Sequence, residues 1–319
     1  MNICPIIYQP CGEEKYSQKG LSLLSKNLTR LNDFPYTQEE QLHEAAMRAD
    51  KMSIQGVQPK LSARLATKGE IFTIADRGGE YILKPENSFY PELPANESLT
   101  MKLAQSAGIE TPLNGMIYSL DGRLTYFIKR FDRYGKGKKL SIEDFAQLAG
   151  RSRETKYDYS MENLAGLLDR FCTFPVIEKV KLLRLTLFNF LTGNEDMHLK
   201  NFSVILREGK VELSPAYDLL NTTIALKDAK AEIALPIDGK KNNLTRQALI
   251  NYFAKERLGI NNTVIARELK YLETAWCGWE KLVSISFLSA QMKQRYIEMI
   301  RHRGERIGFL KIHGIPFPL

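Results

Sequence analysis

Asp196 and Asn201 stand five residues apart in the polar segment Gly193-Asn194-Glu195-Asp196-Met197-His198-Leu199-Lys200-Asn201. That Asp-x-x-x-x-Asn spacing is the spacing of the protein-kinase catalytic loop. There a carboxylate accepts a hydroxyl proton, and an amide oxygen five residues on ligates Mg2+. A second carboxylate, Asp218, follows a short hairpin in Ser214-Pro215-Ala216-Tyr217-Asp218-Leu219. It can supply the remaining protein ligand of a cation that bridges nucleotide phosphates. Phosphoryl transfer asks mainly for positioning and charge neutralisation, and these three residues can provide both. Taken alone, an Asp and an Asn in a polar loop are as readily turn-capping residues. An upstream lysine shifts the balance toward chemistry.

That lysine is Lys84, which ends the apolar run Tyr81-Ile82-Leu83-Lys84-Pro85. A strand ending in Lys can bring an ammonium to the α- and β-phosphates of a nucleotide. Glu97, near the start of the next predicted helix, can pair with Lys84 as kinases pair a strand lysine with a helix glutamate. The competing reading of Glu97 is a solvated carboxylate favoured by the helix dipole. Ahead of the first predicted strand, Ser53-Ile54-Gln55-Gly56-Val57-Gln58-Pro59-Lys60 carries one glycine where backbone amides can approach phosphate, although an ordinary turn would look the same. Neither Gly-x-Gly-x-x-Gly nor Asp-Phe-Gly occurs.

The elements that must hold these residues follow from periodicity and turn chemistry. Leu21, Leu24, Leu28 and Leu31 predict a helix over 20–31. Thr37 and Glu40 form a capping-box pattern for a helix to about residue 51. Residues 57–65, 71–75 and 81–84 are β-leaning, with Gly69 and Gly78-Gly79 as turns. A loop over 85–94 leads to a helix from Pro94 to about Ala107, closed by Gly108. Strands over 116–119 and 124–131 flank Asp121-Gly122, a strong hairpin signal. Ser141 with Asp144 then predicts a helix start, and Gly150 its end. The Tyr-rich stretch 151–160 reads as an exposed loop. Residues 161–172 and 176–192 read as helices, the second buried. A small hairpin turns at Glu208-Gly209, and 244–307 is mostly helical. A strand-rich half thus precedes a helix-rich half, with a seam near 132–140. The expectation is an α+β molecule of two lobes with a cleft between them, divided as 1–132 and 133–319.

Composition sets outer bounds. A chain of 319 residues with 44% apolar and 26% charged residues is neither disordered nor fibrous. No apolar run reaches the length of a membrane span, so no membrane partner is expected. A net charge of +8 suits anionic partners such as nucleotide phosphate or nucleic acid, but it is spread along the chain and is densest at 130–139. Cys4, Cys11, Cys172 and Cys277 form no Cys-x-x-Cys pair, and with only four histidines a tetrahedral zinc site is not expected. Met1-Asn2-Ile3-Cys4-Pro5 lacks the pattern of a secretory signal, which predicts a cytoplasmic chain with free thiols.

In their order along the chain, several segments together resemble the HipA family of bacterial serine/threonine kinases, the toxins of toxin–antitoxin modules. They are 53–60, 81–85, Asn96-Glu97, Lys129-Arg130-Phe131-Asp132-Arg133, Glu143-Asp144-Phe145-Ala146-Gln147, 193–203 and 214–220. With too little N-terminal sequence for the additional subdomain of full-length HipA, the chain looks like the short HipT type, whose missing subdomain can be a separate small protein.

The resemblance implies a kinase-like, two-lobed fold using ATP and Mg2+. It makes Asp196 the catalytic aspartate, Asn201 and Asp218 the metal ligands and Lys84 the ATP-contacting lysine. It places Gly56, Val57, Gln58 and Lys60 at the phosphate loop, and Lys129 and Phe131 at the hinge bordering adenine. It also counts His198 and Lys200 among the cofactor contacts. Ser53 matches the serine that family members autophosphorylate, where a phosphate would add nearly two negative charges and silence or tune the kinase. The implied partners are an aminoacyl-tRNA synthetase as substrate and a helix-turn-helix DNA-binding antitoxin; the charge of the basic stretch at 130–139 would let it face tRNA on such a substrate. The chain departs from the family at Lys129, where Glu is common, and at the variable position Gln55.

Three other readings compete. One is a kinase-shaped co-repressor that works by binding a helix-turn-helix partner. Another is a small-molecule or lipid kinase, because the same residues serve any hydroxyl acceptor. The third, a Cys172–His198 nucleophilic pair, is disfavoured because Cys172 ends an apolar helix. Residues 225–319 carry no motif and read as core.

Overall fold

The computed structural model describes residues 1–48, 58–86, 89–135, 137–226 and 231–310. Ser53, Gly56 and Val57 lie outside the described residues. The chain divides into two compact units. The first comprises Met1–Lys102, Pro112–Lys138 and Ile285–Ser289. The second comprises Leu103–Thr111, Lys139–Ser284 and Ala290–Leu319.

The first unit holds α1 (Gln18–Leu24), α2 (Gln38–Met47), β1 (Leu61–Ala66), β2 (Ile71–Ile74), β3 (Tyr81–Lys84), most of α3 (Leu93–Ser106), β4 (Asn114–Tyr118) and β5 (Leu124–Lys129). A two-stranded ribbon of β6 (Arg133–Tyr134) and β7 (Lys138–Lys139) runs to its end. The five longer strands form an antiparallel sheet in the order β2-β1-β3-β5-β4.

The period-2 alternation of a strand puts Tyr81 and Leu83 on one face and Lys84 on the other. On the first face Phe72, Tyr81 and Phe127 cluster with ring centroids 5.1, 5.7 and 6.0 Å apart. Each is nearly solvent-free, and burying such a side chain stabilises by about 1.5–3 kcal/mol. Leu83 faces Phe127, which faces Gly115 across β4. A Cβ on Gly115 would come within 2.8 Å of Ile6 Cα. The missing side chain lets the N-terminal segment lie on the sheet, where Met116 N–H donates to Pro5 O at 3.1 Å.

α2 starts with the capping box of Thr37 and Glu40. Its buried positions include two amides rather than an apolar stripe. Gln38 Nε2 donates to Ser119 Oγ at 3.0 Å and Thr125 Oγ1 at 2.8 Å, and Gln41 Nε2 donates to Ser119 Oγ at 2.8 Å. The helix expected over 20–31 ends at Leu24, because Ser25 turns extended and caps it with an N–H bond to Leu21 O. Leu28 and Leu31 are still buried. Their spacing reflects contact with the core from irregular chain, not a continuing helix.

The second unit holds β8 (Ile142–Asp144), α4 (Phe145–Leu148), α5 (Met161–Phe171), α6 (Pro175–Thr192), β9 (Ser203–Arg207), β10 (Lys210–Leu213) and α7 (Thr222–Ala225). A wide-turned π-helix (Gln247–Arg257), α8 (Asn262–Ser284) and α9 (Ala290–Arg306) follow. The helix start expected at Ser141 is corrected. Residues 142–144 pair with β9 in a sheet of order β10-β9-β8, and the cap is Asp144, in a capping box with Gln147.

Proline at N1 starts α6, and Gly193 at φ 72° ends it. Leu182, Leu183, Leu185, Leu187, Phe188, Phe190 and Leu191 are all buried, the all-round burial of a core helix. Around it α8 contributes Trp279, edge-on to Phe188 at 5.5 Å. α9 closes on α8 through Gly304, where a Cβ would meet the Trp276 indole at 2.5 Å. No described helix is long and apolar enough to cross a membrane.

Candidate active site

In the second unit the segment after α6 is fixed by backbone bonds before any side chain acts. Gly193 adopts the left-handed conformation, and its carbonyl accepts from Thr222 Oγ1 at 2.9 Å and from Thr223 N and Oγ1 at 3.1 Å. Thr222 Oγ1 in turn accepts from Glu195 N–H at 2.8 Å. The side chain of Asn194 is buried, donating to Asn189 Oδ1 and accepting from Asp196 N–H, each at 3.1 Å. On the other side, Asp196 O accepts from Asn201 Nδ2 and from His198 N–H, each at 2.8 Å. The backbone of Asp196 is thus held from both ends while its carboxylate remains 50% exposed. A fixed carboxylate with an open face is what a general base requires.

Asn201 ends a single 3-10 turn, Leu199–Asn201. Its Nδ2 is committed to Asp196 O, so its Oδ1 is the acceptor end of the amide. Asp218 stands at φ 54°, half-buried. The preceding Tyr217 hydroxyl bonds Ser203 Oγ at 2.5 Å and donates to Lys200 O at 3.0 Å, which ties this stretch to the turn bearing Asn201. Among the described residues no group of three or more His, Cys, Asp or Glu is placed to hold a metal ion. One amide oxygen and one carboxylate suit a hard cation such as Mg2+, which keeps waters and takes substrate phosphates as further ligands.

His198 is buried, with Nε2 3.9 Å from Asp196 Oδ1, and its Nδ1 has no hydrogen-bond partner among the described residues. Burial holds its imidazole below the usual range, opposed by the charges of Asp196 and Asp218. Lys200 turns to Asp144, at 2.8 Å.

The first unit carries the lysine. Lys84 Nζ lies 2.6 Å from Glu97 Oε1, each side chain 3% exposed, and 5.6 Å from the Tyr126 ring centroid. The solvated helix-start reading of Glu97 is therefore overturned: α3 carries it into the face of the sheet opposite Phe127. Lys129 Nζ sits 6.0 Å from the Tyr81 ring centroid. Arg130 is bidentate on Asp132 at 2.9 and 3.0 Å, with Arg133 3.4 Å from the same carboxylate, so part of the basic stretch is neutralised locally. Gln58 and Lys60 precede β1, half-buried, and Phe131 follows β5, also half-buried.

One functional candidate was not legible in the sequence. Tyr157, from the loop 151–160, hydrogen-bonds Asp196 Oδ1 and stands edge-on to His198 at 4.9 Å. The aromatic content of an otherwise polar loop was the available signal. Cys172 is buried at the end of α5, and burial and Glu178 push its thiol up to about 12. Such a thiol is not a nucleophile at neutral pH.

A strand lysine paired with a helix glutamate, an antiparallel sheet and an Asp-to-Asn loop leaving a core helix together define an α+β, protein-kinase-like fold. The profile of the HipA-like C-terminal domain matches residues 52–276, and the chain belongs to that family. A putative kinase of Haemophilus influenzae is 27% identical over 303 residues, covering 84% of this chain and 86% of the relative. The serine/threonine-protein kinase toxin HipA of Shewanella oneidensis is 31% identical over 208 residues, covering 59% of this chain. Only 47% of that toxin's own length is spanned. The solved complex of Shewanella oneidensis HipA with HipB and operator DNA contains a chain that superposes with a TM-score of 0.67 at 23% identity, over 88% of this chain and 74% of that one.

Proposed function

We propose that this protein is an ATP-dependent serine/threonine protein kinase of the short HipT type, acting as the toxin of a toxin–antitoxin module. The observation that carries the reading is the buried Lys84–Glu97 pair. Removing two charges from water costs several kcal/mol per ion, and kinases keep such a pair, on this strand and helix, to hold nucleotide phosphates. The fixed backbone and open carboxylate of Asp196 add support.

In this reading Lys84 takes the α- and β-phosphates of ATP. Gly56, Val57, Gln58 and Lys60 form the phosphate loop, and Lys129 and Phe131 border the adenine. Asp196 orients the acceptor hydroxyl and receives its proton as the oxygen attacks the γ-phosphorus, while the bond from that phosphorus to the β,γ-bridging oxygen breaks and ADP leaves. Asn194 and Asn201 keep that carboxylate in place through its backbone. Asn201 Oδ1 and Asp218 would hold Mg2+, which would supply positive charge to offset that of the phosphates. His198 backs the base, and Lys200 would reach the cofactor from the same turn by leaving its ion pair with Asp144.

Residues 1–132 form the nucleotide lobe and 133–319 the acceptor lobe. Autophosphorylation at Ser53 tunes activity, and the substrate is an aminoacyl-tRNA synthetase met in the cytoplasm. A DNA-binding helix-turn-helix antitoxin, with a separate small N-subdomain-like protein, completes the module; the relative's complex with HipB and operator DNA supports this partner class. The same complex favours a second reading, a kinase-shaped co-repressor whose work is binding.

Incubation with labelled ATP and Mg2+, alone and in bacterial lysate, tests the proposal when Asp196→Asn is run alongside. Phosphate mapped by mass spectrometry to Ser53 or to a lysate protein, and absent in the variant, is the expected result. ATP binding without transfer in either protein would favour the co-repressor.

A further inference from the structure

We propose that Tyr157 is an acceptor-mimicking residue. Its phenol occupies the carboxylate oxygen of Asp196 that a substrate hydroxyl must reach, and it keeps water off that oxygen until an acceptor displaces it. The inference rests on the reading of Asp196 as the base.

The geometry is that of a bound acceptor. A serine or threonine poised for transfer donates its O–H to the catalytic carboxylate. The Tyr157 phenol is an O–H donor engaged with the same atom, Asp196 Oδ1. It enters on the carboxylate, the half-exposed part of a residue whose backbone is fixed on both sides.

The contact has its own support. Leu199 N–H donates to Lys156 O at 3.3 Å, tying the loop to the catalytic segment beside Tyr157. The ring rests edge-on against His198 at 4.9 Å, while the ammonium groups of Lys156 and Lys241 lie 5.0 and 5.8 Å from its centroid. Burial, followed by the bond to the Asp196 carboxylate, raises the phenol's pKa, so it remains a donor across the physiological range.

The contact is also displaceable. Tyr157 is 36% exposed. It lies outside any helix or strand, between Gly150 at φ 63° and the α5 cap Ser160. A rotation of its side chain frees the oxygen without disturbing an element, and the positive charge beside the ring would then face the incoming substrate. Sequence spacing does not reveal the relationship, because the two residues are 39 positions apart.

Tyr157→Phe keeps the ring contacts and removes only the hydroxyl. ATP hydrolysis without acceptor, and transfer to dephosphorylated casein, are measured for the wild type, Tyr157→Phe, Tyr157→Leu and Asp196→Asn. Melting temperatures are compared to exclude misfolding. The expected result is a rise of about tenfold in acceptor-independent hydrolysis and a similar fall in KM for casein, the scale set by one charge-assisted hydrogen bond. Saturating kcat is expected to stay within about twofold. Tyr157→Leu should show the same gain, which guards against a special property of Phe. Folded Tyr157 variants no more active than the wild type, whether or not the wild type is active, overturn the inference. Full activity in Asp196→Asn instead overturns the reading of the base, and the two failures are thereby distinguished.

Discussion

Lys84 and Glu97 meet at 2.6 Å with both side chains 3% exposed, so this ion pair is made almost entirely out of water. Breaking such a pair by removing one partner costs about 3–5 kcal/mol, whereas replacing both by apolar residues is often neutral. Glu97→Ala should therefore lower the urea midpoint markedly. Lys84→Met with Glu97→Leu should recover most of it while leaving ATP-analogue binding lost. Recovery of both properties in the double variant would show that the pair serves only the fold.

Gly193 should not tolerate a side chain. Its left-handed backbone costs an L-residue roughly 1–2 kcal/mol, and a Cβ there would stand 2.8 Å from Asn221 Oδ1 and Thr223 Oγ1. Crowding of that kind adds about 1–3 kcal/mol. Gly193→Ala is expected to lower the calorimetric melting temperature. Phosphate transfer should fall further than stability does, because the displaced Thr223 hydroxyl holds the carbonyl of Gly193, at the start of the segment that carries Asp196.

Asn201→Ala removes the donor to Asp196 O and the proposed metal oxygen together. The half-maximal Mg2+ concentration for transfer should rise by more than the roughly 10–100-fold typical of outer-shell substitutions. Asp218→Asn should shift it in the same direction. A Mg2+ titration of initial rates reads both, and unchanged midpoints would remove these residues from the metal site.

Cys172 supplies a test by pH. Its thiol is pushed up to about 12, whereas an unfolded cysteine ionises near ~8.5. The native state therefore holds this proton more tightly. The contribution to stability is complete below ~8.5 and declines as pH climbs toward 12. At pH 8, iodoacetamide should label Cys172 roughly a thousandfold more slowly in the native protein than in urea. Activity should survive the treatment, which a Cys172–His198 mechanism does not allow.

What the sequence disclosed was local. Asp196 and Asn201 are near neighbours, and Asp121-Gly122 and Glu208-Gly209 are turn chemistry, so their consequences could be read without knowing the fold. Glu97 was ambiguous because a helix-start carboxylate looks the same whether solvent or a lysine lies beyond it. Tertiary packing decides, and here α3 lies against the sheet. Ser141 and Asp144 both offered a cap, and pairing of 142–144 with β9 assigned it to Asp144. Leu28 and Leu31 kept helical spacing outside any helix because the core selects apolar residues regardless of backbone. Tyr157 was hidden for the opposite reason: its loop carries no periodicity, and its partner is distant in sequence.

Thr222 and Thr223 are ordinary hydroxyl residues more than twenty positions beyond Asp196, yet both clasp the carbonyl of Gly193. In a saturation-mutagenesis survey scored by phosphate transfer, substitutions at these two threonines should group with those at Asp196, although neither hydroxyl is assigned a role in the chemistry. A map of intolerant positions would then outline the scaffold of the loop as well as its reactive groups. The informative contrast is Thr222→Ser, which keeps the hydroxyl and should score as silent.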